Sequence, residues 1–171
     1  AAARPGKIDM LIEVWINSLL SGPATHAVNL IGNALTALFA IPERVLASRS
    51  GAGGVQVGEA TMMMWGIMES FTDAIRLGWK SFKTGEPLFG AGKLDETSPV
   101  RKAITPENLE MTGVPGRAVG MLGEIVRIPG RALGGSDSFF KQISYRAELH
   151  ALAFRKAIAE GLEGDDLARR I

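Results

Sequence analysis

The residues that could carry catalytic chemistry are few and lie far apart in the sequence. There is no cysteine, and His26 and His150 are the two histidines among 171 residues. The lack of cysteine excludes disulfide bonds, thiolate zinc sites and a cysteine nucleophile. Two histidines are too few for a multi-histidine metal site within one chain. Each lies in a predicted helix, where a packed or surface histidine is far more common than a catalytic one.

The acidic residues are also scattered. Asp9 and Glu13 are four residues apart on one predicted helix face, and such a pair could serve general acid–base catalysis. A solvated helix face is the ordinary interpretation of the same spacing. The sequence has no H-E-x-x-H and no G-x-S-x-G motif. Because a nucleophile, a base and an orienting group cannot be assembled, we predict no enzyme activity, no catalytic residue, no metal site and no cofactor.

A glycine-rich segment at residues 85–93 has some features of a phosphate-binding loop. The motif needs glycine at position 87 and serine or threonine at position 94, but the chain has Pro87 and Leu94. No strand is predicted before the segment. We therefore predict no nucleotide site, and we interpret residues 85–111 as a long irregular loop with a short turn opened by Thr105.

A short motif that contains proline and arginine occurs three times. Residues 114–120 (VPGRAVG) and 128–134 (IPGRALG) are near copies fourteen residues apart, and residues 41–47 (IPERVLA) are a looser copy. Proline is favoured in the first turn of a helix and disfavoured further inside. We therefore interpret the motif as a recurring elbow between helices.

The arginines of this motif are candidate phosphate ligands. Arg44, Arg117 and Arg131 could bind phosphate groups of DNA or of lipid headgroups. Pairing within the chain, for example of Glu124 with Arg127 or Arg131, is the favoured alternative. The chain has 19 basic and 18 acidic residues, whereas a dedicated nucleic-acid binder has a clear basic excess. Any contact with DNA would therefore involve its backbone without sequence specificity.

The elements that carry these residues are predicted to be helices. Apolar residues recur at intervals of three and four along most of the sequence, and strand-like alternation is nearly absent. We predict an all-α fold of four or five principal helices joined by Gly/Pro-rich elbows and one long irregular loop. The predicted segments are an apolar helical pair (1–49), a Gly-rich linker (50–58), a Met- and aromatic-rich helix (59–84), the irregular loop and turn (85–111), and the elbows with a C-terminal amphipathic helix capped by Asp137 (112–171).

The second helix of the apolar pair is the most apolar element. No residue from Val14 to Pro42 is charged. A bilayer-spanning helix needs about 20 predominantly apolar residues, but Asn29 and Asn33 would be costly in a lone span. We therefore favour a helix buried in a larger protein assembly over a membrane span. The predicted face for assembly or membrane contact consists of Leu30, Ile31, Leu35, Leu38 and Phe39.

Two stretches of the chain are similar to a known family. They are residues 15–33 (WINSLLSGPATHAVNLIGN) and residues 127–149, which include RIPGRAL, DSFFK and YRAEL. Both resemble a helical segment of the large internal virion, or ejection, proteins of tailed phages. The resemblance spans roughly residues 10–160 and contains no catalytic signature. Because the sequence starts without methionine, we also expect an excerpt or a processed product of a longer chain.

The resemblance implies a structural function in a bacteriophage. We expect a component of the virion, in the capsid interior or tail, that is delivered with the genome and helps to form a conduit through the host envelope. Its expected partners are other copies of itself and other virion proteins, with the host membrane and the phage DNA backbone as further partners. The alternative is a membrane-associating helical module that inserts into, or perturbs, the host inner membrane.

Overall fold

The computed structural model describes residues 5–86, 102–164 and 166–167. Within these ranges the fold is all-α as predicted, with four helices, no strand and a helical content of 82%. Most of the predicted irregular loop, including the positions of Pro87 and Leu94, lies outside the described residues. The helices are α1 (Lys7–Leu20), α2 (Pro23–Ser50), α3 (Glu59–Thr84) and α4 (Gly113–Ala159), and a short 3-10 turn covers Ala52–Gly54.

Glycines separate α2 from α3, as the sequence predicts. Gly51 has a φ of 68° and Gly58 has a φ of 110°, and both values lie in the region that favours glycine. The chain therefore leaves α2 at Gly51 and enters α3 directly after Gly58. The predicted ends of α3, Glu59 and Thr84, are confirmed.

The prolines do not interrupt the helices, so two of the three predicted elbows are wrong. Pro42 lies inside α2, and Pro129 lies inside α4, which has 47 residues. The helix start predicted at Asp137 is wrong for the same reason, because Asp137 also lies inside α4. The copy at residues 114–120 does stand at the start of a helix. Proline removes one backbone hydrogen bond, but tertiary packing on the adjoining turns can override such local preferences.

This packing is visible in the first of two compact units, which combines residues 1–29 with residues 80–135. Glycines of α4 on both sides of Pro129 contact other elements of the unit. A Cβ on Gly123 would overlap the carbonyl oxygen of Ile104, and a Cβ on Gly130 would lie 3.0 Å from a side-chain oxygen of α1. These close approaches hold α4 in place over the turn that contains the proline.

The short turn predicted at Thr105 is confirmed. The carbonyl oxygen of Thr105 accepts a hydrogen bond from the backbone N–H of Leu109 at 3.2 Å. The Thr105 hydroxyl oxygen accepts one from the backbone N–H of Asn108, also at 3.2 Å. The side-chain amide of Asn108 donates to the carbonyl oxygens of Lys102 and Ala103 at 2.8 and 3.1 Å. These bonds fix the backbone that packs against the glycines of α4.

The second compact unit combines residues 30–79 with residues 136–171. Its apolar core is a cluster of three buried side chains with two partly buried neighbours. Small residues also bring α3 and α4 close together, because a Cβ on Gly66 would lie 2.7 Å from the carbonyl oxygen of Arg146. The cluster consists of Met63, Ala147 and Ala151, with Ala40 and Ile67 packed against it.

Large apolar side chains lie mostly on the surface. The buried apolar side chains of the described residues are five alanines, Met63 and Ile143. The folded chain therefore leaves much of its apolar surface uncovered. A monomeric soluble protein, in contrast, rarely exposes apolar patches larger than a few hundred Å². The exposed bulky residues include Leu11, Trp15 and Leu19 of α1, Leu38 and Phe39 of α2, Trp65, Met68 and Trp79 of α3, and Met121, Leu122 and Ile125 of α4.

Candidate functional site

A buried ion pair joins α1 to α4 in the first unit. Glu13 is 9% exposed and Arg127 is 6% exposed. Arg127 donates from Nε to Glu13 Oε1 at 2.6 Å and from Nη2 to the carbonyl oxygen of Ile104 at 2.7 Å. Glu13 Oε2 accepts the backbone N–H groups of Ala103 and Ile104 at 2.8 and 2.9 Å. Both charged groups are thus hydrogen-bonded, as burial of a charge requires.

The interpretation of Asp9 and Glu13 as a solvated face is therefore wrong for Glu13. Asp9 is half-buried, and its Oδ2 accepts the backbone N–H of Gly6 at 2.6 Å, at the start of α1. Because the two carboxylates are engaged with different groups, they do not form an acid pair. No local sequence signal could have revealed the burial of Glu13, since its partner Arg127 is 114 positions away.

A second charged cluster, centred on one buried glutamate, joins α2, α3 and α4 in the second unit. Glu59, the first residue of α3, has a fully buried side chain. Arg155 donates from Nε and Nη2 to the two oxygens of Glu59, both at 2.7 Å, and Arg44 Nη1 lies 3.5 Å from Oε2. Arg44 also forms an ion pair with Glu148. The cluster thus contains two glutamates and two arginines, so its formal charges sum to zero.

Opposing effects set the pKa of Glu59. Burial raises this pKa, but hydrogen bonds from the Arg155 side chain and the Gln56 backbone outweigh burial, together with the charges of Arg155 and Arg44. The pKa is therefore lowered from its ordinary value. The carboxylate is ionised at neutral pH and binds its two arginines, and it is poorly suited to act as a general acid.

We expect this cluster to make the stability of the protein sensitive to acid. The pKa of Glu59 is lower in the folded chain than in the unfolded chain. The ionised carboxylate therefore makes its full contribution to the free energy of unfolding above the unfolded pKa of about 4.3. That contribution is lost as the pH falls through the lower, folded pKa. Thermal melts of the wild type and Glu59→Gln should show a difference in Tm that is largest near neutral pH and shrinks below this window. A difference that stays constant down to acid pH would contradict the assignment.

The three arginines predicted to contact phosphate groups lie in different environments. Arg131 Nη1 is 2.6 Å from Glu124 and Arg127 Nη1 is 3.4 Å from it, which confirms the predicted pairing within the chain. The hydrogen bond from Arg131 outweighs burial and, with the nearby positive charges, lowers the pKa of Glu124. Arg44 belongs to the cluster around the buried glutamate of α3. Of the three arginines, Arg117 alone has an exposed side chain, and its contact with phosphate stays a prediction.

The histidines are not brought together with other possible metal ligands. His150 is packed, as predicted, with its Nε2 3.0 Å from Glu69 Oε2, whereas His26 is half-buried in the first turn of α2. No group of three His, Cys, Asp or Glu side chains that could hold a metal occurs in the part of the chain that the structure describes. His150 is therefore a packing residue, whereas His26 stays half-buried near the start of α2.

A cavity of about 310 Å³ lies beside the Glu13–Arg127 pair in the first unit. Lys102 and Glu86 also border it, as do two glycines of α4. Its central charged groups are already ion-paired, so no side chain there has the geometry of a nucleophile with an adjacent base. The apolar wall of this cavity consists of Ile12, Ile16 and Leu20 of α1.

The predicted contact face of α2 is exposed along its length. Its five residues have exposed fractions between 46% at Leu35 and 65% at Phe39. Among the described helices, α2 is the one that is long and apolar enough to cross a membrane, with 28 residues and a hydropathy of 1.4. The core helix of a soluble protein and a signal sequence near an N-terminus pass the same test, and α2 differs from a core helix because none of its stretch is buried. The strongest candidate for a functional site is therefore a surface, formed by exposed apolar helix faces.

Comparison with known proteins leaves this surface as the main guide to function. No protein-family model, curated protein or solved structure matches the chain.

Proposed function

We propose that the chain is a structural, non-catalytic subunit of the internal, or ejection, machinery of a bacteriophage virion. In this function it is packed with the genome, delivered into the host and helps to form a conduit through the envelope. Its partners are other copies of itself and other virion proteins. The observation that carries the proposal is the inverted distribution of side-chain size, with alanines inside and bulky apolar residues outside.

This distribution supports an assembly subunit because the missing burial must come from neighbours. Burying apolar surface contributes about 25 cal/mol per Å², and a fully uncovered bulky side chain forgoes about 1.5–3 kcal/mol. Helices that expose such residues on several faces are stabilised when further helices pack on them. The link to phages in particular rests on the similarity of residues 15–33 and 127–149 to ejection proteins.

Mass spectrometry of purified virions tests this proposal. Particles from cells that express the chain should yield its peptides, for example the tryptic peptide 132–141, protected from added protease until the capsid opens. Because an ejected protein leaves with the genome, the peptides should be depleted from particles that have released their DNA. Peptides found in the cell lysate and absent from intact particles would overturn the proposal.

A second candidate function is association with the host inner membrane. The specific observation in its favour is α2, which has the length and hydropathy of a span and is unburied. Flotation of the full chain with vesicles of phosphatidylethanolamine and phosphatidylglycerol tests it directly. The chain should rise with the vesicles and stay bound in high salt, because burial of apolar surface is not screened. A chain that stays at the bottom of the gradient would exclude this function.

A further inference from the structure

The cavity in the first unit has an apolar wall that solvent can reach. The described residues that line it all belong to residues 1–29 and 80–135, so the cavity lies within one compact unit. Ile12, Ile16 and Leu20 form the wall, and their spacing of four residues aligns them along one side of α1. Ile12 and Ile16 are 48% and 42% exposed. A molecule seated on this wall would therefore remove apolar surface from water.

Arg131 brings an unsatisfied donor to the same cavity. Its side chain is 15% exposed, and its Nη1 pairs with Glu124 Oε2 at 2.6 Å. Its Nε, in contrast, is buried and has no hydrogen-bond partner within the described part of the chain. A Cβ on Gly85, which also lines the cavity, would lie 3.2 Å from this nitrogen. Because a buried donor costs free energy until an acceptor reaches it, the cavity favours a ligand that carries an oxygen acceptor.

The charges around this donor favour an anionic acceptor. Arg127, Arg131 and Lys102 border the cavity, and all three positive charges act on the Glu124 carboxylate. Arg127 also pairs with Glu13. Three cations and two carboxylates leave this group of side chains with one net positive charge. Hydrogen bonds from a charged donor to a charged acceptor are roughly twice as strong as neutral ones, so a carboxylate is the best match.

Two further carboxylates border the cavity and leave the Arg131 donor free. Asp9 Oδ2 accepts the backbone N–H of Gly6 at 2.6 Å, at the start of α1. The Glu86 side chain is exposed, where solvent and salt screen its charge, and its carbonyl oxygen accepts the Ser81 hydroxyl at 2.7 Å. An incoming carboxylate therefore meets the buried donor without displacing a partner from it.

The dimensions of the cavity set the size of the ligand. Its volume is about 310 Å³. An apolar cavity of about 150 Å³ holds benzene, with its six non-hydrogen atoms, so this cavity holds about twelve. Ile12 and Leu20 are eight positions apart, which corresponds to about 12 Å along the helix. An extended decanoate has about twelve non-hydrogen atoms and a carbon chain of about 11 Å, at about 1.2 Å per bond.

We propose that this cavity binds a medium-chain carboxylate of the size of decanoate. The alkyl chain lies along Ile12, Ile16 and Leu20, and the carboxylate accepts a hydrogen bond from Arg131 Nε. The binding is non-covalent, and no bond of the ligand is made or broken. This inference goes beyond the proposed function and does not depend on it, because the composition of virions and the binding of a small molecule are measured separately.

A series of ligands of increasing chain length tests the cavity. Hexanoate, octanoate, decanoate and laurate are titrated into the full chain by isothermal titration calorimetry, below the concentrations at which they form micelles. The affinity should rise about fourfold for each CH₂ up to decanoate. It should then level off, with one ligand bound per chain, because further carbons lie outside the cavity. An undiminished rise from decanoate to laurate would indicate adsorption to exposed apolar faces and overturn the proposal. An absence of decanoate binding would overturn it as well.

Arg131→Lys tests the assigned position of the carboxylate. The substitution removes the Nε donor and keeps a positive charge beside Glu124. Decanol, which has the same chain and no charge, is the reference ligand. The ratio of the decanoate affinity to the decanol affinity should fall about fivefold in the variant, because the charge-assisted bond is the stronger one. A distorted cavity would weaken both ligands equally, and that outcome would contradict the role assigned to Nε.

Ile16→Trp tests the assigned position of the alkyl chain. The larger side chain occupies part of the cavity and should lower the affinity for decanoate at least tenfold. Leu11→Trp is the matched control, since Leu11 lies on the same helix, is 70% exposed and is not part of the wall. Its affinity for decanoate should be unchanged, and circular dichroism checks that both variants keep their helices. Equal affinities in the two variants would overturn binding in the cavity.

Discussion

Replacing Arg127 with alanine is expected to lower the free energy of unfolding by about 3–5 kcal/mol. The substitution leaves the Glu13 carboxylate buried without its guanidinium and removes the hydrogen bond to the Ile104 carbonyl oxygen. An unpaired buried charge costs far more than the pair contributes, which is why the loss is large. Urea unfolding followed by circular dichroism measures the change.

A matched control is available on α3. Arg76 forms an ion pair with Asp73, but both side chains are mostly exposed. Arg76→Ala should therefore change the free energy of unfolding by no more than about 1 kcal/mol. The double substitution Glu13→Leu with Arg127→Met should cost less than Arg127→Ala, since it removes both charges together. If Arg127→Ala and Arg76→Ala lower the free energy of unfolding equally, the claim that breaking the buried pair costs more than breaking an exposed pair is contradicted.

The second large effect is expected at Gly66. A Cβ at this position would lie 2.7 Å from the carbonyl oxygen of Arg146 and 2.9 Å from the ring of His150. Because the first of these atoms belongs to the backbone, α3 and α4 must move apart to admit a methyl group. Gly66→Ala should therefore lower the free energy of unfolding by about 1–3 kcal/mol.

Gly32 provides a control of opposite sign. It lies inside α2, and a Cβ there would meet no atom within 4 Å. Alanine is a better helix former than glycine, so Gly32→Ala should raise the free energy of unfolding by up to about 1 kcal/mol. Thermal melts of the two variants give shifts in Tm of opposite direction if α3 and α4 are in backbone contact. A shift in the same direction for both would contradict this contact.

Much of the helical architecture could be predicted because it depends on local pattern. The ends of α3 at Glu59 and Thr84 follow from the glycines that flank it and from the three-to-four spacing of its apolar residues. The uncharged run from Val14 to Pro42 likewise identified the second helix as the most apolar element. These features need no knowledge of which residues meet across the fold.

The remaining features depend on contacts between distant residues. The continuation of α4 past Pro129 is supported by its glycines against α1 and Ile104, which the sequence does not reveal. The burial of Glu13 likewise depends on Arg127. The exposed row of Leu11, Trp15 and Leu19 on α1 had a local signal in its three-to-four spacing, but that spacing alone predicts an inward face. Its direction is reversed because the polar face of α1 holds the ion pair.

The most direct test of the central claim is the mass of the purified chain in water and in detergent, measured by sedimentation velocity. Exposed apolar faces on every helix should make the chain form assemblies in water, or bind a belt of mild nonionic detergent when that is present. A monodisperse species with the mass of a single chain that binds no detergent would contradict the claim that these faces require a partner.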